Sequence, residues 1–192
     1  MSARELAKWE QWFGFNTMLD RELVSMLTEA ARFVQEIKAN PNGKGRWLSL
    51  LGSSGTGKTF LAKRVMRWIR EQGARYTCFT SGASLARSYS FTYWPEFIQE
   101  GREGDFSRKA DMAGDWFACI DELSADKDRT GWIADSAAYV AGKRVDKWTL
   151  FTSNLTGEEI AQQIDTRVIS RMTRDRNRVC VVSCQDYALR PK

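Results

Sequence analysis

The run Gly52-Ser53-Ser54-Gly55-Thr56-Gly57-Lys58-Thr59 restricts this chain more than any other feature. It fits the pattern G-x-x-x-x-G-K-[ST] at every fixed position. Trp47-Leu48-Ser49-Leu50-Leu51 precedes it as an apolar stretch of strand length. Phe60 to Ile69 follows with its apolar residues at helical spacing. A glycine-rich bend between a strand and a helix turns backbone N–H groups inward on an anion, and the helix adds the positive end of its dipole. Gly52, Ser53, Ser54, Gly55, Thr56 and Gly57 are therefore expected to line a phosphate site, with Phe60 at its edge. Lys58 can reach the β- and γ-phosphates of a nucleotide, and the Thr59 hydroxyl can ligate Mg²⁺.

The rest of the chain supplies what such a loop needs. Its 192 residues are enough for one domain with a full core. Apolar runs at 75–80, 116–120, 148–152 and 178–184 read as further strands. Helical patterns fall at 1–16, 23–37, 131–145, 156–164 and 166–172, and the stretch 84–108 is mixed, with Trp94-Pro95 opening a short helix. Strands alternating with helices give an α/β fold with a parallel sheet. The expected architecture is a P-loop NTPase, a three-layer sandwich around a five-stranded sheet.

Composition removes several chemistries. With no histidine, the chain cannot build a Ser-His triad or a His-based zinc site. Cys78, Cys119, Cys180 and Cys184 form no C-x-x-C pair and lie in the apolar runs, where buried thiols are expected rather than disulfides or zinc. No apolar run approaches a membrane span and the start of the chain is no signal peptide, so a cytoplasmic protein is expected. Catalysis must come from carboxylates, Lys, Arg and bound metal. A net charge of +5 permits nucleic-acid binding without requiring it.

Asp121-Glu122 follows directly on the third apolar run. At the C-terminal end of a strand beside the phosphate loop, Asp121 would hold Mg²⁺ and Glu122 would activate a water. An adjacent Glu favours hydrolysis of ATP over phosphate transfer to a small acceptor. Asn154, at the tip of the fourth strand in Thr152-Ser153-Asn154, can bond the attacking water or the γ-phosphate, although Asn is also an ordinary turn former there. Arg167 and Arg171 lie four apart and share one helix face. Such a pair can clamp a phosphate oxygen, or it can be a solvated basic face continued by Arg174, Arg176 and Arg178.

Together these residues resemble an AAA+ ATPase of the DnaC/IstB branch, which holds helicase loaders and transposition helpers. The resemblance spans about residues 20–190 and rests on Gly52–Thr59, Trp116–Glu122, Thr152–Leu155, Arg167–Met172 and a terminal strand ending near Asp186-Tyr187. It implies ATP and Mg²⁺ as ligands, Asn154 as the first sensor, and Arg171, with Arg167 second, as a finger reaching a neighbouring subunit. It further implies a homo-oligomeric ring or spiral on single-stranded or duplex DNA, and a replicative helicase or a transposase as partner. A scaffold with vestigial hydrolysis is a third reading. DNA contacts are expected from Arg87, Tyr89, Phe91, Arg102, Arg108 and Lys109. The basic residues Lys63, Arg64, Arg67 and Arg70 read as a solvated helix face. The chain has no room for a helical lid, so no second-sensor arginine is expected. Residues 1–19 form a short aromatic segment ahead of an ATPase domain at 20–192. There Trp9, Trp12, Phe13 and Phe15 either recruit a partner or pack on the module, the latter being favoured.

Overall fold

The computed structural model of the chain describes residues 1–17, 20–73, 78–80, 83–85, 87–124 and 130–184. Five parallel strands form its centre, in the spatial order β4-β5-β6-β1-β7. These are β1 (Trp47–Gly52), β4 (Tyr89–Tyr93), β5 (Phe117–Asp121), β6 (Trp148–Ser153) and β7 (Arg178–Val182). The three inner strands are buried along their whole length. Strands covered on both faces read as continuous apolar runs, which is why they are visible in sequence. Two short strands, β2 (Cys78–Thr80) and β3 (Ala83–Leu85), pair antiparallel in a separate ribbon.

That ribbon corrects one expectation. Residues 78–80 do not join the main sheet; the edge position beside β5 belongs to β4, in the stretch read as mixed. Residues 75–77 lie outside the described residues, as do Asp186 and Tyr187. The reason β4 is hard to read is physical. As an edge strand it buries only Thr92 fully, so Tyr89-Ser90-Phe91-Thr92-Tyr93 shows no apolar run.

Helices cover both faces. On one side lie α1 (Ala3–Phe13), α2 (Arg21–Ala39) and α3 (Lys58–Gly73), whose Phe13, Leu27, Val34, Leu61 and Val65 share a core with Leu48, Leu50 and Leu150 of the sheet. On the other lie α4 (Trp94–Arg102), α5 (Ser107–Gly114), α6 (Trp132–Lys143), α7 (Gly157–Gln163) and α8 (Thr166–Met172), packed with Leu51, Ile120 and Phe151. The helix starts are local in origin. Ser2 with Glu5, and Thr156 with Glu159, form reciprocal capping boxes; Asp20 and Asp165 accept from the first N–H groups of α2 and α8. Trp9, Phe13 and Phe15 are buried in the domain core, whereas Trp12 is about half exposed. Among the described residues no helix is long and apolar enough to cross a membrane.

One side chain ties the far ends of several elements together. Arg144, just past α6, is fully buried and makes no ion pair among the described residues. Its Nε donates to Thr149 Oγ1 at 3.0 Å, and its terminal nitrogens donate to the carbonyls of Met112, Asp115, Trp116 and Trp148. These carbonyls end α5 and flank β5 and β6. Burial lowers the guanidinium pKa to about 10, which leaves it charged at neutral pH. Arg144→Met keeps the stem and removes every donor. It is expected to lower unfolding free energy by about 3 kcal/mol, because several buried acceptors lose a charged partner. Urea unfolding followed by circular dichroism measures this; a loss below about 1 kcal/mol would show that water replaces the guanidinium.

Candidate functional site

The bend after β1 is set by glycine. Gly52 has φ +121° and passes so close to β7 that a Cβ there would lie 2.0 Å from the Val182 carbonyl oxygen. Ser53 N donates to that same oxygen at 3.1 Å. Gly57, at φ +88°, turns the chain into α3, which begins at Lys58. Lys58 is 5% exposed, and its ammonium folds back on the loop. Nζ donates to the carbonyls of Gly52 (2.9 Å) and Ser53 (2.6 Å) and to Thr56 Oγ1 (3.3 Å). Burial lowers its pKa, opposed by the nearby Glu122 and Asp121 carboxylates. An ammonium held only by neutral oxygens is ready to exchange them for phosphate. Phe60, next on the helix, is partly exposed, with Phe15 6.2 Å away and Arg64 over its ring.

Asp121 ends β5 one strand away from β6, and β6 lies beside β1. Its Oδ1 accepts from Thr59 Oγ1 at 3.0 Å and from Thr152 Oγ1 at 2.7 Å. Its Oδ2 is buried with no hydrogen-bond partner among the described residues. Burial raises its pKa, and the two threonine bonds partly offset this. An orphaned buried carboxylate oxygen beside a threonine hydroxyl suits a hard, oxygen-seeking cation such as Mg²⁺. Thr59 and Asp121 would hold it. Glu122 sits at φ +60°, an uncommon angle for a non-glycine residue. Its backbone N–H donates to Thr152 Oγ1 at 2.8 Å, and Asn154 Nδ2 stands 3.5 Å from its carboxylate.

Three neighbours at this site were not expected from the sequence. Thr152 bridges Asp121 and the backbone of Glu122. Tyr93, opposite Asp121 in the strand register, faces the Glu122 carboxylate, which raises the phenol pKa. Lys63 favours the charged form of Asp121. Lys63, Tyr93, Asp121 and Glu122 line a groove of about 430 Å³ with Thr59, Phe91, Glu96 and Arg108. The only local signal was the polar Thr-Ser-Asn ending of β6; Tyr93 and Lys63 arrive through strand pairing and helix packing.

The two arginines part company. Arg167 is chelated by Asp165, which accepts from its Nε and Nη2, and it stands 3.7 Å from Asp135. Arg171 makes no ion pair among the described residues and donates to the Arg167 carbonyl at 3.1 Å. It lines a basic groove of about 380 Å³ with Lys44, Arg46, Arg174 and Arg176. That groove includes Trp47, the first residue of β1, so it lies at the opposite end of the strand from Gly52.

Most of the residues read as DNA contacts have partners inside the fold. Arg87 donates to the Pro41 carbonyl and stacks on Trp116, with Tyr89 edge-on to the same indole. Phe91 is half-buried under Lys63. Arg108 is paired with Glu96 and Glu100. Lys109 bonds Ser136 and lies over Tyr139. Arg102 is exposed in the last turn of α4.

The chain shares its fold with solved replication proteins. A crystal structure of the DnaC helicase loader superposes with a TM-score of 0.68 at 19% identity, over 92% of this chain and 99% of that one. The DnaI structure does so with a TM-score of 0.68 at 18% identity, over 97% and 94%. The AMPPCP-bound DnaA from Aquifex aeolicus gives 0.63 at 12% identity, over 90% of this chain and 50% of that one. No family model matches the chain, and no curated protein sequence does. The chain thus shares with these proteins an α/β fold built on a five-stranded parallel sheet between two helical layers.

Thr152→Val is isosteric and removes the one hydroxyl that serves both acids. It is expected to cost about 1–2 kcal/mol of unfolding free energy, since Glu122 N–H loses its acceptor and Asp121 a donor. Thr152→Ser restores the hydroxyl and is expected to recover most of that loss in the same urea titration.

Proposed function

We propose that the protein is an ATPase that acts with DNA, of the helicase-loader kind, and that its active unit is an assembly of copies. The observation that carries the nucleotide reading is the buried Oδ2 of Asp121, unpartnered among the described residues, beside the Thr59 hydroxyl at the foot of the Gly52–Thr59 loop. The shared fold with DnaA bound to AMPPCP supports a nucleotide there. Likeness to DnaC, described as a helicase loader, supports a helicase as partner, and the shared fold with a DnaA bound to AMPPCP and single-stranded DNA supports DNA.

In this reading the N–H groups of the loop cradle the phosphates and Lys58 exchanges its carbonyl partners for phosphate oxygens. Bound Mg²⁺ supplies charge neutralisation at the phosphates. Glu122 takes a proton from the attacking water, while Tyr93 and Asn154 fix the direction of its carboxylate. Arg171 acts on the nucleotide of another copy. Reach supports this by excluding its own nucleotide: β1 spans six residues between the basic groove and the loop, about 17 Å. No arginine side chain crosses that distance to its own phosphate site. An added cation at the γ-phosphate is worth orders of magnitude in rate.

Arg171→Ala is expected to leave binding of a fluorescent ATP analogue unchanged and to lower turnover at least about a hundredfold. Wild-type turnover per chain is expected to rise with protein concentration and to be stimulated by DNA. Turnover that is independent of concentration and insensitive to Arg171→Ala would refute hydrolysis between copies. Loss of ATP binding in Lys58→Ala tests the nucleotide site separately.

A further inference from the structure

We propose that the outward face of α3 is a binding track for the phosphodiester backbone of a nucleic-acid strand. The inference rests on the reading that the protein works on DNA and assigns the contact to residues outside those expected from the sequence.

Four of the six expected contacts, Arg87, Tyr89, Arg108 and Lys109, have partners inside the fold. A guanidinium already held by two carboxylates, as Arg108 is, adds little attraction for phosphate. The cations of α3 stand differently. Lys63, Arg67 and Arg70 recur at i, i+4 and i+7 and are all exposed. This spacing puts them in one line about 10 Å long on the solvent side of the helix. Arg64 flanks the line, its guanidinium 4.9 Å from the Phe60 ring. Glu71 is the only acidic residue of α3. It pairs with Arg67 at 2.8 Å, and both side chains are more than half exposed. Such an i,i+4 surface pair is worth only tenths of a kcal/mol, so a phosphate can replace the carboxylate without large loss. Arg70 makes no ion pair among the described residues. The opposite face of the same helix, with Leu61, Val65 and Ile69, is anchored in the core, so the cations are presented on a rigid element.

At its N-terminal end the track runs into the groove beside the acids. Lys63 lines that groove with Phe91, Tyr93 and Glu122 and lies 5.8 Å from the Phe91 ring. A strand lying along α3 would thus pass next to the carboxylate read here as the water activator. Nothing on the track reads base edges, so binding is expected to be independent of sequence and strongly dependent on salt.

The test compares the wild-type chain with Arg67→Glu/Arg70→Glu and with the milder Arg67→Gln/Arg70→Gln. Fluorescence anisotropy is read with labelled oligo-dT and with a labelled duplex of equal length, over a NaCl series. Both variants should bind the fluorescent ATP analogue as the wild type does, since neither residue belongs to the phosphate site. On oligo-dT, charge reversal is expected to weaken binding about tenfold or more at low salt. The neutral variant is expected to lower the slope of log K against log[salt] by about 1.4, two phosphate contacts at about 0.7 each on a single strand. A parallel loss on the duplex identifies double-stranded backbone as the occupant; a loss on oligo-dT alone identifies the single strand. Unchanged affinity and slope on both DNAs would overturn the track while leaving a DNA-associated ATPase standing. A wild type that binds neither DNA would overturn that reading as well.

Discussion

Everything at the site depends on the parallel register that brings β1, β5 and β6 to an end at one level. Leu51 pairs with Ser153, and Ile120 with Phe151, so the residues just beyond them are thrown together at the C-terminal edge of the sheet. Those residues are Gly52 with its loop, Asp121 with Glu122, and Thr152 to Asn154. A one-residue slip of β5 would turn Asp121 to the other face and break both threonine hydrogen bonds. The register is strongly specified because the inner strands are buried on both faces. A slip would move Leu50 into the opposite layer and Ile120 and Phe151 out of theirs, and the lost packing on both sides enforces the register.

The sheet also separates two charge environments. At the C-terminal ends of the strands stand two buried or half-buried acids, facing a lysine held by carbonyls. At the N-terminal ends Lys44, Arg46, Arg171, Arg174 and Arg176 gather around a groove. Strand length alone keeps these ends apart within one chain. Arg144 belongs to neither end. It uses its charge on backbone carbonyls, which shows that a buried arginine in this fold can be wholly structural.

Local chemistry was readable and long-range chemistry was not. The phosphate loop, the acidic pair and the buried strands each carry their meaning within a few consecutive residues. Tyr93 does not, because an edge strand with one covered face lacks an apolar run, and because its partner Glu122 is brought to it only by pairing of β4 with β5. Thr152 was visible as a polar strand ending, but its double role needs both Asp121 and the backbone of Glu122. The basic and aromatic residues between 87 and 109 looked like a nucleic-acid surface, since sequence shows charge but not its partners. Glu96, Glu100, Pro41 and Trp116 pair with several of them.

The amino-acid sequence alone therefore determined the α/β class, the glycine bend between β1 and α3 and the acidic end of β5, because these follow from periodicity and from the backbone freedom of glycine. Tertiary structure decided which strand fills the sheet edge, which hydroxyls and phenol face the acids, which cations stay outward, and at which end Arg171 stands. Those outcomes hinge on contacts between residues tens of positions apart, which only packing and strand register can bring together.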